Sequence, residues 1–256
     1  MERQPVSPEF DRIAAAAAPG LRIPAELDET TRKGTWVVIA AYCEQTMVAR
    51  VVEEVRERFP NVVVVDDGSP DATAQRARDA GAQVLRHVIN RGQGAALQTG
   101  IAWALERGAE IVVTFDADGQ HEAGDLPRLV APICAGDVDV VLGSRFLTGR
   151  PADIPTVRRL ILSAGVLFTR LTSGLRLSDT HNGLRAFSRA AARQLDLRLD
   201  RMAHASELID QVRRSGLPFA EVAVRIRYSD YSRAKGQSSG NAIRIALDYL
   251  VDRVLR

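Results

Sequence analysis

Residues 111–121, Ile-Val-Val-Thr-Phe-Asp-Ala-Asp-Gly-Gln-His, decide how the chain is interpreted. The apolar, β-branched run predicts a buried strand, and Asp116 and Asp118 follow directly at its carboxyl end. Hard cations such as Mg²⁺ and Mn²⁺ take oxygen ligands, and Mg²⁺ sites commonly combine one or two carboxylates with substrate phosphates. The simpler interpretation is an Asp-Gly turn after a strand, and the rest of the chain distinguishes the two.

Around this stretch, apolar strands alternate with helical patterns from residue 36 onward, which indicates an α/β sheet of mostly parallel strands. We predict strands over 36–41, 62–66, 83–86, 110–115 and 138–143, and helices over 46–58, 72–80, 94–107 and 125–135. Further on we predict a helix over 156–171, a polar segment over 178–185, a helix over 204–215, an edge strand over 222–228 with one face solvated, and an amphipathic helix over 242–256. Ligands of such sheets bind beyond the carboxyl ends of the strands.

A length of 256 residues indicates one large domain or a domain with extensions, with a composition ordinary for a globular protein. A net charge of only +2 argues against a nucleic-acid partner. No apolar run approaches the 18 or so residues of a transmembrane helix. No signal-peptide pattern begins the chain, so we expect a cytoplasmic protein, peripheral to a membrane and not secreted. Cys43 and Cys134 fit no metal or disulfide spacing.

Polar motifs follow four of the predicted strands. They are Ala40-Ala41-Tyr42-Cys43-Glu44, Asp66-Asp67-Gly68-Ser69-Pro70-Asp71, Asn90-Arg91-Gly92-Gln93-Gly94 and the run from Asp116 to His121. Each also has a structural alternative. The first motif could place an aromatic residue at the rim of the sheet, and the second could be a turn followed by a helix cap. The third could be only a loop, since it lacks the third glycine of a dinucleotide fingerprint. Their shared position at one edge of a sheet, in this order, favours a single functional site over four unrelated turns.

With these motifs, residues 36–145 resemble the GT-A glycosyltransferases of the large inverting family that includes bacterial cellulose and chitin synthases. The resemblance implies a GT-A (Rossmann-like), mostly parallel central sheet with helices on both faces. It also implies a site for a nucleotide-sugar donor, formed by Ala40, Tyr42, Glu44, Asp66, Asp67, Arg91, Gly92, Asp116 and Ala117. By the same resemblance Mg²⁺ or Mn²⁺ is held by Asp116 and Asp118, with Gln120 as a third candidate ligand. Ala40, where proline is common, and Cys43, where asparagine is usual, depart from the family's pattern.

Motifs in the second half are similar to those of the dolichyl- and polyprenyl-phosphate glycosyltransferases, the mannosylphosphoryl-dolichol synthase type. This resemblance implies transfer of a hexose or N-acetylhexosamine from a UDP- or GDP-sugar to polyprenyl phosphate at the cytoplasmic membrane face. The residues implied for the acceptor phosphate are Arg145, Arg159, Ser163, Arg233 and Lys235. The candidate catalytic residues are Asp118, Arg145 and Asp179. A phosphate acceptor is already anionic at neutral pH, so no dedicated base is expected.

The chain therefore divides into an N-terminal extension over 1–33, a GT-A catalytic domain over 34–230, and a basic loop with an amphipathic helix over 231–256. That last helix either docks onto the domain or contacts a small integral-membrane partner protein, which some members of the resembled family use. Residues 158–170 form either a core helix or an interfacial one. Homo-oligomerisation is left open. His121 is expected to be a solvent-facing loop residue.

Three other functions need to be distinguished from this one. The same fold serves enzymes with a soluble or polysaccharide acceptor. A sugar-phosphate nucleotidyltransferase also binds nucleotides on an α/β sheet, but residues 36–50 lack the glycine-rich, lysine-bearing loop that it should carry. The third is a non-catalytic nucleotide-sugar sensor, against which the paired carboxylates argue.

Overall fold

Seven strands form one sheet in the part of the chain that the structure, a computed structural model, describes: residues 27–147, 177–179, 182–199 and 203–227. The strands are β1 Thr35–Ala41, β2 Asn61–Asp66, β3 Gln83–Arg86, β4 Ile111–Asp116, β5 Val140–Ser144, β6 Arg185–Ser188 and β7 Phe219–Ala223. They lie in the order β3-β2-β1-β4-β6-β5-β7, and β6 alone runs antiparallel to its neighbours. The predicted α/β, mostly parallel sheet is confirmed.

Helices cover both faces of the sheet, as predicted. They are α1 Glu29–Gly34, α2 Val48–Arg56, α3 Thr73–Asp79, α4 Gln93–Glu106, α5 Leu126–Cys134, α6 Arg189–Ala192 and α7 Ala203–Ser215, with a 3₁₀ turn at Ala123–Asp125. Side chains alternate along a strand, so Val37 and Ile39 of β1 pack with α2 and α5 while Trp36 and Val38 pack with α4 and α7. Because both faces are buried, the strands are continuously apolar rather than alternating.

Two elements of the second half differ from the prediction. The sequence prediction missed β6. This strand begins at Arg185, where the predicted polar segment ends, and its four residues are too few to show an alternating pattern of apolar and polar side chains. The edge strand is present as predicted, but β7 lies earlier, at Phe219–Ala223, so the predicted bounds of 222–228 are wrong. From Val222 to Arg227 more buried and more exposed residues alternate, as predicted. The prediction began the strand too late because Glu221 interrupts the apolar residues; its carboxylate is buried and accepts hydrogen bonds from the N–H groups of Ser178 and Asp179.

Other predicted elements fall outside the described residues. These are the helices over 156–171 and 242–256 and the basic loop from residue 231. The final residues of the predicted N-terminal extension form α1, whose N-cap Asp28 accepts a hydrogen bond from the Thr31 N–H. Within the described residues, no helix is long and apolar enough to cross a membrane.

The register of the central strands brings the polar motifs together. β1 pairs in parallel with β2 and β4, and the pairing sets Ala41 opposite Asp66 and Ala40 opposite Asp116. The carboxyl ends of three strands are therefore level, with the end of β1 between the two aspartates. This edge of the sheet carries the candidate site.

Candidate active site

Asp116, the last residue of β4, receives hydrogen bonds from two side chains. His121 Nε2 lies 2.9 Å from its Oδ2, and Gln93 Nε2 lies 3.1 Å from its Oδ1. Burial opposes ionisation of this carboxyl. The hydrogen bond from His121 and the positive charges of His121 and Arg185 outweigh burial and lower the pKa of Asp116 below its ordinary value. Asp116 is therefore held as an oriented carboxylate.

His121 is buried, so the expectation of a solvent-facing loop histidine is wrong. Its side chain is only 3% exposed, and its ring meets Phe115 edge-on with centroids 5.5 Å apart. Gly119, at φ 73°, lets the chain turn tightly after the strand. The Arg227 N–H, 2.7 Å from the Gln120 carbonyl oxygen, then fixes the turn from the residues that follow β7. That long-range contact folds His121 back onto Asp116.

Asp118 is held by its neighbour Gln120. The backbone N–H of Gln120 lies 3.0 Å from Asp118 Oδ1, and the Gln120 side-chain nitrogen lies 2.6 Å from Oδ2. Burial and the charge of Asp116 raise the pKa of Asp118 to about 6. Two carboxylates in one partly buried site disfavour each other's ionisation, and a divalent cation would relieve that repulsion.

A cation at this pair would depend on ligands from the substrate. Among the described residues, no group of three or more His, Cys, Asp or Glu side chains is arranged to hold a metal ion. Two carboxylates completed by diphosphate oxygens nevertheless suit Mg²⁺ or Mn²⁺. Gln120, predicted as a third candidate ligand, directs its amide nitrogen at Asp118 and so orients that carboxylate.

The two aspartates after β2 shape the donor side of the edge. Asp67 accepts hydrogen bonds from the N–H groups of Arg91 and Gly92, at 2.9 and 2.8 Å, and from His87 Nδ1 at 2.7 Å. Asp66 accepts from the Ser69 N–H at 3.1 Å. Both carboxylates are buried, so they fix the loop that would surround a nucleoside.

The loop after β1 completes the predicted donor site. Tyr42 is 46% exposed, whereas Glu44 and, across the edge, Ala117 are buried. The Cys43 N–H donates to Ser69 Oγ at 2.9 Å, and the Glu44 N–H donates to Thr73 Oγ1 at 2.8 Å, so this loop is tied to the motif after β2. The structure thus brings all nine predicted donor residues to one edge, with Ala40 partly buried and the Arg91 side chain exposed.

Arg145 and Asp179, predicted separately as catalytic residues, form a buried bidentate ion pair. Arg145 Nε lies 2.6 Å and one Nη 2.7 Å from the two carboxylate oxygens, and the Arg145 backbone N–H donates at 3.1 Å. The two side chains are 9% and 1% exposed. Asp179 therefore fixes the direction of the guanidinium.

Arg185 is a site residue to which the sequence prediction gave no role. It is buried in β6, at the centre of the sheet, and burial lowers its pKa to about 10 although the charges of Asp116 and Asp179 oppose the shift. A charged residue between Leu184 and the apolar pair Ala186-Phe187 is the signal that could have revealed it. Gly183 belongs to the same group, because a Cβ there would lie 2.2 Å from Asp116 Oδ2.

The remaining predicted acceptor residues lie outside the described residues. They are Arg159, Ser163, Arg233 and Lys235. Of the predicted acceptor set, the structure describes Arg145 alone.

A mostly parallel sheet with an Asp-x-Asp pair at its carboxyl edge is the GT-A fold of glycosyltransferases. Residues 36–196 match the family described as Glycosyl transferase family 2, and the chain belongs to this family. It is therefore a glycosyltransferase, in agreement with the prediction from sequence.

The chain is also similar to two named relatives in sequence and to one solved structure in fold. It is 32% identical over 234 residues to the polyprenol monophosphomannose synthase of Mycolicibacterium smegmatis, covering 88% of this chain and 87% of that one. It is also 32% identical over 222 residues to the UDP-N-acetylglucosamine–dolichyl-phosphate N-acetylglucosaminyltransferase of Methanococcus voltae, covering 78% and 88%. The fold is similar to glucosyl-3-phosphoglycerate synthase from Mycobacterium tuberculosis, solved with Mn²⁺, UDP-glucose and phosphoglyceric acid, with a TM-score of 0.65, 21% identity, and coverage of 99% and 85%.

Proposed function

We propose that this glycosyltransferase moves a hexose or N-acetylhexosamine from a UDP- or GDP-sugar to polyprenyl phosphate at the cytoplasmic membrane face, with inversion and with Mg²⁺ or Mn²⁺. The observation that carries the metal-dependent part is the pair Asp116 and Asp118, whose mutual repulsion contributes to raising the pKa of Asp118 to about 6. The acceptor class rests on the relatives whose names specify dolichyl phosphate and polyprenol.

The donor half of the site supplies orientation and charge. A cation bound with the diphosphate would neutralise the negative charge that develops on the leaving group. Gln120 keeps Asp118 aimed at that position, while His121 and Gln93 do the same for Asp116. Because these carboxylates are fixed before substrate arrives, little reorganisation is needed in the transition state.

The reaction is a single displacement. An oxygen of the acceptor phosphate attacks the anomeric carbon, the bond from that carbon to the diphosphate oxygen breaks, and the nucleoside diphosphate leaves. Asp179 holds the Arg145 guanidinium in one orientation at the edge of the site, and we assign Arg145 to the acceptor phosphate with Arg159, Ser163, Arg233 and Lys235. The phosphate is an anion already, so the attack needs no general base.

A donor and acceptor panel tests this function. The protein is incubated with UDP- and GDP-sugars, Mn²⁺ and undecaprenyl phosphate in detergent, and the lipid fraction is analysed by mass. We expect one glycosyl-phosphoryl-polyprenol from one donor, and none from the Asp118→Asn variant. Transfer to phosphoglyceric acid or to an oligosaccharide, with no lipid product, would contradict the acceptor assignment.

A further inference from the structure

Exposed apolar side chains are concentrated at the edge of the sheet that carries the site. In the described part of the chain, the large hydrophobic side chains that are exposed are Tyr42 at 46%, Val88 at 99% and Ile89 at 68%. All three follow a strand at its carboxyl end, Tyr42 after β1 and the other two after β3. A single exposed apolar residue needs no explanation, but two adjacent ones at the tip of a loop on the active edge do. We call Val88 and Ile89 the apolar tip.

The apolar tip is presented by a fixed frame of hydrogen bonds. On one side, the His87 N–H donates to the Asp66 carbonyl oxygen at 2.9 Å, and the His87 ring binds Asp67. On the other side, the N–H groups of Arg91 and Gly92 also donate to Asp67. One buried carboxylate therefore holds both ends of the loop, and the two apolar side chains point away from a fixed base.

The space behind the tip is already filled. Gly68 has φ 74°, and a Cβ at this position would lie 2.8 Å from the carbonyl carbon of Ile89. Backbone thus packs on backbone beneath the tip. This contact fixes the backbone at Ile89, and Val88 and Ile89 are exposed in the loop that it holds.

The exposed charge beside the tip is basic, because the carboxylates of Asp66 and Asp67 beneath it are buried. From residue 80 to residue 105 the sequence contains no Asp or Glu, and its basic residues are Arg86, His87 and Arg91. The Arg86 side chain is 55% exposed even though it pairs with Asp66, and Arg91 is exposed as well. Apolar residues flanked by exposed arginines match the interface of an anionic bilayer, where the apolar groups enter the acyl boundary and the arginines meet headgroups.

We infer that the apolar tip inserts into the headgroup region of an anionic lipid bilayer and sets the active edge toward it. The inference deepens the proposed function and rests on it, since a polyprenyl phosphate acceptor lies in such a bilayer. β3 and β4 are three strand spacings apart in the sheet, which is about 14 Å. Contact at the tip would therefore keep Asp116 and Asp118 within about this distance of the inserted residues, measured across the sheet.

Vesicle binding of a paired set of variants tests this inference. V88S/I89S removes the apolar surface, and V88L/I89L keeps it at the same positions. Binding to phosphatidylglycerol-phosphatidylcholine vesicles and to pure phosphatidylcholine vesicles is measured by co-sedimentation, with thermal melting to confirm that each variant is folded. We expect wild type and V88L/I89L to bind the anionic vesicles, and V88S/I89S to bind them about tenfold more weakly or worse, since two side chains lose their burial.

Transfer activity and light scattering distinguish membrane insertion of the tip from contact with a second copy of the chain. Transfer to detergent-dispersed acceptor should be unchanged in V88S/I89S, while transfer to acceptor embedded in vesicles should fall. Equal vesicle binding by wild type and V88S/I89S would overturn the inference. A dimer of wild type in light scattering that V88S/I89S abolishes, without any change in vesicle binding, would assign the tip to a second copy and also overturn it. Absence of lipid transfer by wild type itself would instead contradict the proposed function, and vesicle binding of the variants would still test the tip.

Discussion

Replacing Asp118 with asparagine should stabilise the metal-free protein while abolishing its response to metal. Burial and the charge of Asp116 raise the pKa of Asp118 from its ordinary value of 3.8 to about 6. The folded state therefore disfavours the ionised carboxyl. The resulting destabilisation is absent below the ordinary pKa, grows as the pH rises, and is complete above about pH 6.

The magnitude follows from the shift. Each pKa unit corresponds to about 1.4 kcal/mol, so a rise from 3.8 to about 6 sets an upper bound of about 3 kcal/mol. Asparagine keeps an oxygen that can accept from the Gln120 N–H, and Gln120 can rotate its amide to suit the new side chain. Partial exposure reduces the gain, so we expect Asp118→Asn to raise the free energy of unfolding by about 1–2 kcal/mol at pH 8.

Urea unfolding at pH 8 in EDTA, with and without excess Mn²⁺ and nucleoside diphosphate, measures both effects. Asp179→Asn is the matched control, because the same chemical change there leaves the buried Arg145 guanidinium without its partner carboxylate and should destabilise by about 3–5 kcal/mol. A lower stability of Asp118→Asn in EDTA would refute the argument from charge repulsion. Equal stabilisation of wild type and Asp118→Asn by Mn²⁺ would refute the metal assignment.

Three further substitutions test other parts of the site. Cys43 has φ 54°, a left-handed backbone conformation that asparagine tolerates better than cysteine. Cys43→Asn should therefore raise the free energy of unfolding by about 1 kcal/mol, measured by thermal melting. A lower melting temperature would contradict this account of backbone strain. Arg185→Gln removes a buried cation beside Asp116 and Asp179, which then keep their partners His121 and Arg145, and should cost about 3 kcal/mol in urea unfolding. Arg185→Lys should recover part of the loss, and wild-type stability of the glutamine variant would show that the charge is unimportant. Gly183→Ala places a methyl group 2.2 Å from Asp116 Oδ2 and should weaken Mn²⁺ binding in calorimetry. Gly124→Ala is the control, because a methyl group there has no neighbour nearer than 3.9 Å, and it should leave Mn²⁺ binding unchanged. Equal Mn²⁺ binding by both variants would mean that the position of the Asp116 carboxylate does not matter.

The first half of the fold was predictable because its signals are long and local. β1, β2 and β4 are each built on a run of consecutive apolar or β-branched residues, and α2 buries four valines on one face of the predicted helix. Parallel strands place their following loops at one edge, so the order of the polar motifs was enough to predict where they would meet. The fold places every predicted donor residue at that edge.

What failed depends on contacts between distant residues. His121 looks like a loop residue, and long-range pairing of Gln120 and His121 with Arg227 and Ile226 helps to bury it against Asp116. The Arg145–Asp179 pair joins residues 34 apart through chain that has no strong period. Local patterns give residue type and position along the chain, but the direction of a side chain depends on partners that the fold brings together.

The Asp118→Asn variant also tests whether the carboxylate pair at this edge of the sheet is required for sugar transfer. The most direct test of the central claim compares wild type and Asp118→Asn in one reaction with donor, Mn²⁺ and undecaprenyl phosphate. Lipid product and released nucleoside diphosphate are both quantified by mass. We predict equal amounts of the two products from wild type and neither from the variant. Nucleoside diphosphate released without glycosylated lipid, or equal turnover by the variant, would contradict the account.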